Sequence, residues 1–484
     1  MTLTDLEPID GRPGVPLGTS FLPEGSRGVK LEPAGYVEQE FLVTGDARDW
    51  QDDDGAAVPA GQAGRFVTRV LVRRPADPAR FNGTVHVEPL HPDYDQALTW
   101  RTVHQHVLRT GAAWVGVTQD HRMVPVLAEH FDPLRYAGLR IDSFGHRFDI
   151  VGSVVAGLRG EATSVLTELA PVVQRVLLSG WSYTGSFCRV FLADGFHDRC
   201  RLPGGRPAVD GYLIGISSGA AGESGYPPLT ADAARVASDD PRRTIGGHDV
   251  PVIELLSEFE SETHASAARA DSDAAGDRYR LYQVAGTSHD SPASWGLLTN
   301  HEQCRARGLA VPRCRIVEQP SRARMDVVGR GAYAALERWV RDDEPPLRGG
   351  RLEFTGRPEN ELARDADGNV LGGIRPPWIT APAATYSPHS TPATGFCEPS
   401  PWAPMGTPEM VAGLIANQRP FRPHRLAELY GDAAGYLAAY DREVTAFADD
   451  WHLADADRQL LTDLAEREAA TWRTTAHTER NISA

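Results

Sequence analysis

The stretch Arg175-Val176-Leu177-Leu178-Ser179-Gly180-Trp181-Ser182-Tyr183-Thr184-Gly185 decides how the rest of the chain is read. An apolar, β-branched run ends in a glycine, a serine follows two residues later, and an amphipathic stretch begins with Phe187, Val190 and Phe191. This is the pattern of a buried strand turning sharply into a helix, with Ser182 at the apex. Such a turn holds the serine Oγ above the end of a sheet and sets the unpaired N–H groups of the helix start beside it. Ser182 is therefore a candidate nucleophile; the alternative is a plain helix N-cap, a role serine fills often. The usual turn has glycine two residues after the serine, whereas here Thr184 stands there and Gly185 comes one later.

Two later segments supply the partners that a serine nucleophile needs. Val250 to Glu260 reads as a strand leading into a loop that carries Glu258 and Glu260. Tyr279 to Asp290 reads as a strand ending in a small-residue turn with His289. The order serine, acid, histidine is that of α/β-hydrolase triads. Each group falls at the predicted C-terminal end of a strand, where open α/β sheets place their sites. A histidine must take the serine proton, and a carboxylate must fix the histidine tautomer and stabilise the imidazolium. Glu260 is favoured as that carboxylate because the chain has had room to turn back toward the histidine. Glu258 is the alternative.

These residues resemble the α/β-hydrolase domain family of bacterial esterase-like proteins. Its histidine segment, Y-x-V-A-G-x-x-H, stands here as Tyr282 to His289, and its G-x-S-x-x-G elbow as Gly180 to Gly185. Tyr36–Phe41, Phe81–Glu88 and Gly111–Thr118 are similar to its early strands. Ala334–Arg341, followed by Glu344-Pro345-Pro346, is similar to its last core helix, and Asp367–Arg375 to a segment near its C-terminus. The matches run over residues 36 to 390. The resemblance implies an α/β-hydrolase fold: a mostly parallel central sheet flanked by helices, with cap and lid excursions and a C-terminal extension. It also implies a serine esterase whose oxyanion hole uses the N–H of Tyr183 and one from the loop after Glu88. In that loop the family usually has tryptophan and asparagine, whereas this chain reads Pro89-Leu90-His91-Pro92. Proline has no N–H, so Leu90 or His91 must donate. The acidic position is more often aspartate in the family, and Glu260 is one methylene longer.

Composition fits a globular chain able to bury a large core. The chain has 484 residues, 41% hydrophobic and 24% charged. Its 49 basic and 65 acidic residues give a net charge of −16, which argues against nucleic acid and anionic membrane surfaces as partners. The start, Met1-Thr2-Leu3-Thr4-Asp5-Leu6-Glu7, lacks a secretory signal pattern. No apolar run approaches the length of about 18 residues that spans a membrane. A cytoplasmic location is expected. The cysteines, Cys188, Cys200, Cys304, Cys314 and Cys397, form no C-x-x-C pair and read as reduced structural thiols, with Cys304–Cys314 the one pairing considered.

Residues 1–35 read as an irregular arm, 36–345 as the catalytic core, and 346–484 as an extension that is proline-rich and then helical. Within the core, 46–64 reads as an exposed loop, and 217–248 and 290–325 as cap or lid excursions. Trp181, beside the serine, and Trp295, in the second excursion, are candidate substrate-binding residues; the alternative for Trp181 is packing on the elbow. The helical tail is a candidate contact for a homo-oligomer. Asp365-Ala366-Asp367-Gly368-Asn369 resembles the start of a calcium loop but lacks its later glycine and glutamate, so a tight turn is expected. His104, His106, His197 and His301 read as isolated, and neither a metal nor a cofactor is expected. The expected function is hydrolysis of small-molecule carboxylic esters through an acyl-enzyme. The alternatives are acyl transfer or thioester cleavage by the same route, and a non-catalytic binding protein on the same fold.

Overall fold

A computed structural model of the chain describes residues 3–20, 28–159, 164–290, 299–311, 313–356, 361–398 and 407–482. Its centre is a ten-stranded sheet in the order β1-β2-β3-β5-β4-β6-β7-β8-β10-β9. The strands are β1 (Leu3–Pro8), β2 (Tyr36–Asp53), β3 (Ala56–Pro75), β4 (Thr84–Pro89), β5 (Ala113–Val117), β6 (Arg175–Trp181), β7 (Gly211–Gly215), β8 (Val252–Ser257), β9 (Ser272–Ala274) and β10 (Asp277–Val284). From β5 through β4, β6, β7 and β8 to β10 every pairing is parallel. The pairings at the two margins are antiparallel. The central strands read as continuous apolar runs because both faces are covered.

The covering helices explain that burial. On one face lie α1 (Leu98–Thr110) and α5 (Met325–Asp342), around Trp100, Trp114, Trp181, Tyr333, Leu336 and Trp339. On the other lie α2 (Arg147–Ala156) and α3 (Tyr183–Ala193), where Phe148, Phe187, Phe191 and Phe196 meet Leu178 and Ile214. The ring planes of Phe148 and Phe196 are 4.2 Å apart at their centroids and nearly parallel. A short α4 (Glu258–His264) follows β8 directly.

The extension continues the first of these layers. Helices α6 (Pro423–Tyr430), α7 (Ala433–Asp450) and α8 (Asp455–Ile482) bring Leu426, Tyr436, Tyr440, Val444, Leu461 and Leu464 into the cluster that holds Tyr282 and Trp339. The segment at 365–369 is a tight turn, as expected: the Asp365 carboxylate accepts the N–H groups of Asp367 and Asn369, and Gly368 takes φ +83°.

Three expectations need correction. Residues 46–64 are not a loop: β2 and β3 continue as a paired hairpin from Tyr36↔Pro75 to Asp53↔Ala56, closed by Asp54 and Gly55 at positive φ. Trp50 stabilises that arm by packing against Phe196 and under Arg199. The N-terminal arm is not wholly irregular, because β1 pairs with β2 at the sheet margin. The thiols are not all reduced: Cys314 is disulfide-bonded, while Cys188, Cys200 and Cys304 are free and buried. The Cys304–Cys314 pairing is thereby excluded, and in the antiparallel ladder Cys314 stands opposite Cys397.

Candidate active site

Ser182 follows β6 directly and has φ +59°, ψ −128°, a conformation that costs a non-glycine residue about 1–3 kcal/mol. The residues around it force and hold that turn. A Cβ on Gly180 would lie 2.0 Å from the carbonyl oxygen of Thr184, and one on Gly185 would lie 2.8 Å from that of Gly215. Both glycines of the G-x-S-x-x-G pattern are thus required by close approach. Thr184 stands where glycine is usual and closes the turn instead. Its Oγ1 accepts the N–H of Trp181 at 3.0 Å and donates to the carbonyl of Trp181 at 2.9 Å. The Ser182 N–H donates to Gly215 O at 3.0 Å, fixing the apex over β7.

β8 and β10 run side by side with Ser257 opposite Val284, so the chain segments leaving both strands emerge together. Glu260 is not in a loop but in the first turn of α4, where it forms a capping box with Ser257. Both the N–H and the hydroxyl of Ser257 donate to Glu260 Oε2. Glu260 Oε1 lies 2.6 Å from His289 Nδ1, and His289 Nε2 lies 2.8 Å from Ser182 Oγ. Burial opposes ionisation of Glu260, but the neighbouring imidazole and the hydrogen bonds from His289 and Ser257 outweigh it and hold its pKa below the ordinary carboxylate value. Together Ser182, His289 and Glu260 can polarise a hydroxyl and accept its proton.

Glu258 points elsewhere. Its carboxylate accepts the N–H of Gly286 at 2.6 Å and an Nη2–H of Arg364 at 3.1 Å. It therefore braces the turn before His289. Burial pushes its pKa up to about 7, with Arg364 working against the rise.

The oxyanion expectation divides. Tyr183 N–H opens α3 and has no carbonyl one turn earlier in that helix to bind. Leu90 N–H and His91 N–H are both engaged, with Val117 O at 2.8 Å and Gln96 O at 3.0 Å. The expected donation from either backbone is therefore corrected. The His91 side chain is free to serve: its Nδ1 accepts the Asp93 N–H at 3.1 Å, which leaves the proton on Nε2. Its ring lies edge-on to Tyr183 at 6.3 Å, and burial holds its pKa down at about 4.

Trp181, a candidate substrate contact, is 2% exposed and packs in the core, its ring against the backbone of Gly215. The neighbouring Tyr183 accepts from Arg147 Nη1 at 2.9 Å. Trp295 lies outside the described residues. Sequence reasoning passed over Glu88 as a functional residue. Its buried carboxylate accepts the N–H groups of Thr99 and Trp100 and the indole of Trp114, at 2.6 to 3.0 Å, and so anchors α1 behind the His91 loop. A glutamate ending a buried apolar strand was the available signal.

No curated protein matches the chain. Among solved structures it is similar to a thermostable esterase from Pseudomonas putida (15% identity, 61% of this chain and 90% of that one, TM-score 0.31). It is also similar to a cold-adapted esterase from an Arctic intertidal metagenomic library (11%, 59% and 97%, TM-score 0.27) and to fungal esterases from Rhizomucor miehei (10%, 50% and 74%, TM-score 0.27). A family model described as the alpha/beta hydrolase domain matches residues 7–463, nearly the whole chain that carries the elbow, the acid-bearing helix and the histidine turn, and the protein belongs to that family.

Proposed function

We propose that the protein is a serine hydrolase of small-molecule carboxylic esters. The observation that carries this reading is the unbroken relay from Ser182 Oγ through both nitrogens of His289 to Glu260. Ser182 Oγ attacks the ester carbonyl as its proton passes to His289 Nε2, and Glu260 stabilises the imidazolium. The carbonyl oxygen, now an oxyanion, accepts from Tyr183 N–H and from Nε2–H of His91, in place of a second backbone donor. His91 suits this role because it is neutral and its proton sits on the one nitrogen not already bonded. The tetrahedral adduct collapses as His289 gives its proton to the leaving alkoxide, releasing the alcohol. Water then loses a proton to His289 and attacks the acyl-serine, and collapse returns the proton to Ser182 Oγ and frees the acid.

The test is intact-mass analysis after a fluorophosphonate, on wild type and Ser182→Ala, beside hydrolysis of p-nitrophenyl acetate. One adduct and ester turnover, both absent in the variant, support the reading. A folded wild type that takes no adduct overturns it in favour of a binding protein.

A further inference from the structure

The same face of the sheet that packs under α1 and α5 buries a polar cluster unrelated to the serine relay. His86 lies on β4, His106 on α1 and Glu337 on α5, with exposures of 0%, 4% and 6%. His86 Nε2 is 2.9 Å from Glu337 Oε1, and His106 Nε2 is 3.0 Å from Glu337 Oε2. Both approaches are of hydrogen-bond length, but neither ring N–H is well aligned with the carboxylate oxygen it faces. Both nitrogens of both rings, and Glu337 Oε1, have no hydrogen-bond partner among the described residues. Leaving a buried polar atom unpaired costs about 1–3 kcal/mol, and folded interiors supply the missing partner as protein, water or ion. Here the unpaired atoms converge: one ligand atom from each residue lies within 4.8 Å of the others.

We propose that His86, His106 and Glu337 form a structural site for a first-row divalent cation, with zinc the ion that fits best. Two imidazoles and a carboxylate form a zinc donor set, whereas magnesium and calcium take oxygen ligands. Zinc bonds of roughly 2.0–2.2 Å put neighbouring ligand atoms roughly 3.3 Å apart, so the ion draws the two imidazoles inward over the carboxylate. It links a central strand to two covering helices. The strand runs from His86 through Glu88 and ends at Pro89, two residues before His91, so the ion stiffens the frame behind the ester site without entering its chemistry.

The experiment uses the full chain. The protein is stripped with dipicolinate, reloaded with zinc or cobalt(II), passed through metal-free gel filtration, and assayed by elemental mass spectrometry and visible absorption. The expected result is about one ion retained per chain, a cobalt d–d spectrum of a low-symmetry nitrogen and oxygen site, and a Tm that falls on stripping and returns on reloading. His106→Gln and Glu337→Gln should each lose the retained ion while keeping the fluorophosphonate adduct at Ser182, which separates this proposal from the ester reading. If either variant fails to fold, the wild-type strip-and-reload result decides alone. Folded wild type that retains no ion, or whose bound ion survives in both folded variants, overturns the proposal and leaves a carboxylate shared between two imidazoles.

Discussion

Ser257 gives both its N–H and its hydroxyl to one oxygen of Glu260, leaving the other oxygen to face His289. A helix cap and the carboxylate of the proposed triad are thus the same side chain. Glu260→Gln should lower kcat by about 10³–10⁴, because the amide favours the wrong histidine tautomer. Ser257→Ala should cost about 1 kcal/mol of stability and only about tenfold in kcat. Steady-state hydrolysis of p-nitrophenyl acetate and thermal melts distinguish the two effects. Equal losses would mean that the cap, and not the carboxylate, matters.

His91→Ala should lower kcat by about 10²–10³ with little change in KM, the signature of a donor used in the transition state. His91→Gln, which keeps a side-chain N–H, should recover part of that loss. Because His91 is held neutral, its pKa down at about 4, the wild-type rate should show no loss from protonation of His91 between pH 5 and 8. Wild-type rates in His91→Ala would return the role to an unrecognised donor.

The raised pKa of Glu258, about 7 against an ordinary 4.5, sets a stability trend. Between those values the unfolded chain has lost the proton that the folded chain keeps, so stability should fall as pH rises from about 4.5 to 7 and then level off. The full effect is up to about 3 kcal/mol. Glu258→Gln should flatten this part of the curve in urea melts taken across the range, while retaining most of the ester turnover. An unchanged slope would rule out Glu258 as its source.

Gly180→Ala should prevent formation of the elbow, since the added methyl meets the Thr184 carbonyl. Thr184→Gly should fold but lose about 1–2 kcal/mol, because it removes both hydrogen bonds to Trp181 and adds chain entropy. Soluble yield and melting curves separate the two.

Thiol titration of the unfolded protein should find the free Cys188, Cys200 and Cys304, and all five cysteines after reduction. Five thiols without reductant, in protein prepared under air, would refute a bonded Cys314.

Much of this architecture was legible because the signals were local. The apolar run before Gly180, the Gly286 turn and the alternatives Glu258 and Glu260 are short-range patterns, and the serine–acid–histidine order followed from them. Choosing between the glutamates was also local in principle, since Ser257-Glu258-Phe259-Glu260 is a capping-box sequence that places Glu260 at the helix start. What stayed hidden depends on distance along the chain. Whether Leu90 and His91 amides are free depends on Val117 and Gln96. The grouping of His86, His106 and Glu337 requires a strand and two helices to meet. The outer half of the hairpin, 46–64, was missed because Asp, Gly and Ala dominate it, and pairing with an equally polar partner strand overrode their weak strand preference.

The segment around Gly373 bears on where this chain can be cut. Ile374 N–H donates to Gln283 O, Ala285 N–H donates to Ile374 O, and the Trp378 indole donates to Ala285 O. Ser288, next to His289, donates to the carbonyls of Pro388 and Leu414. An expression clone stopped after α5 would encode Ser182, Glu260 and His289 but lack Ile374, Trp378, Pro388 and Leu414, which hold the chain on either side of the His289 turn. Fusions and truncations of this protein should therefore be designed as though its final third were inside the active site.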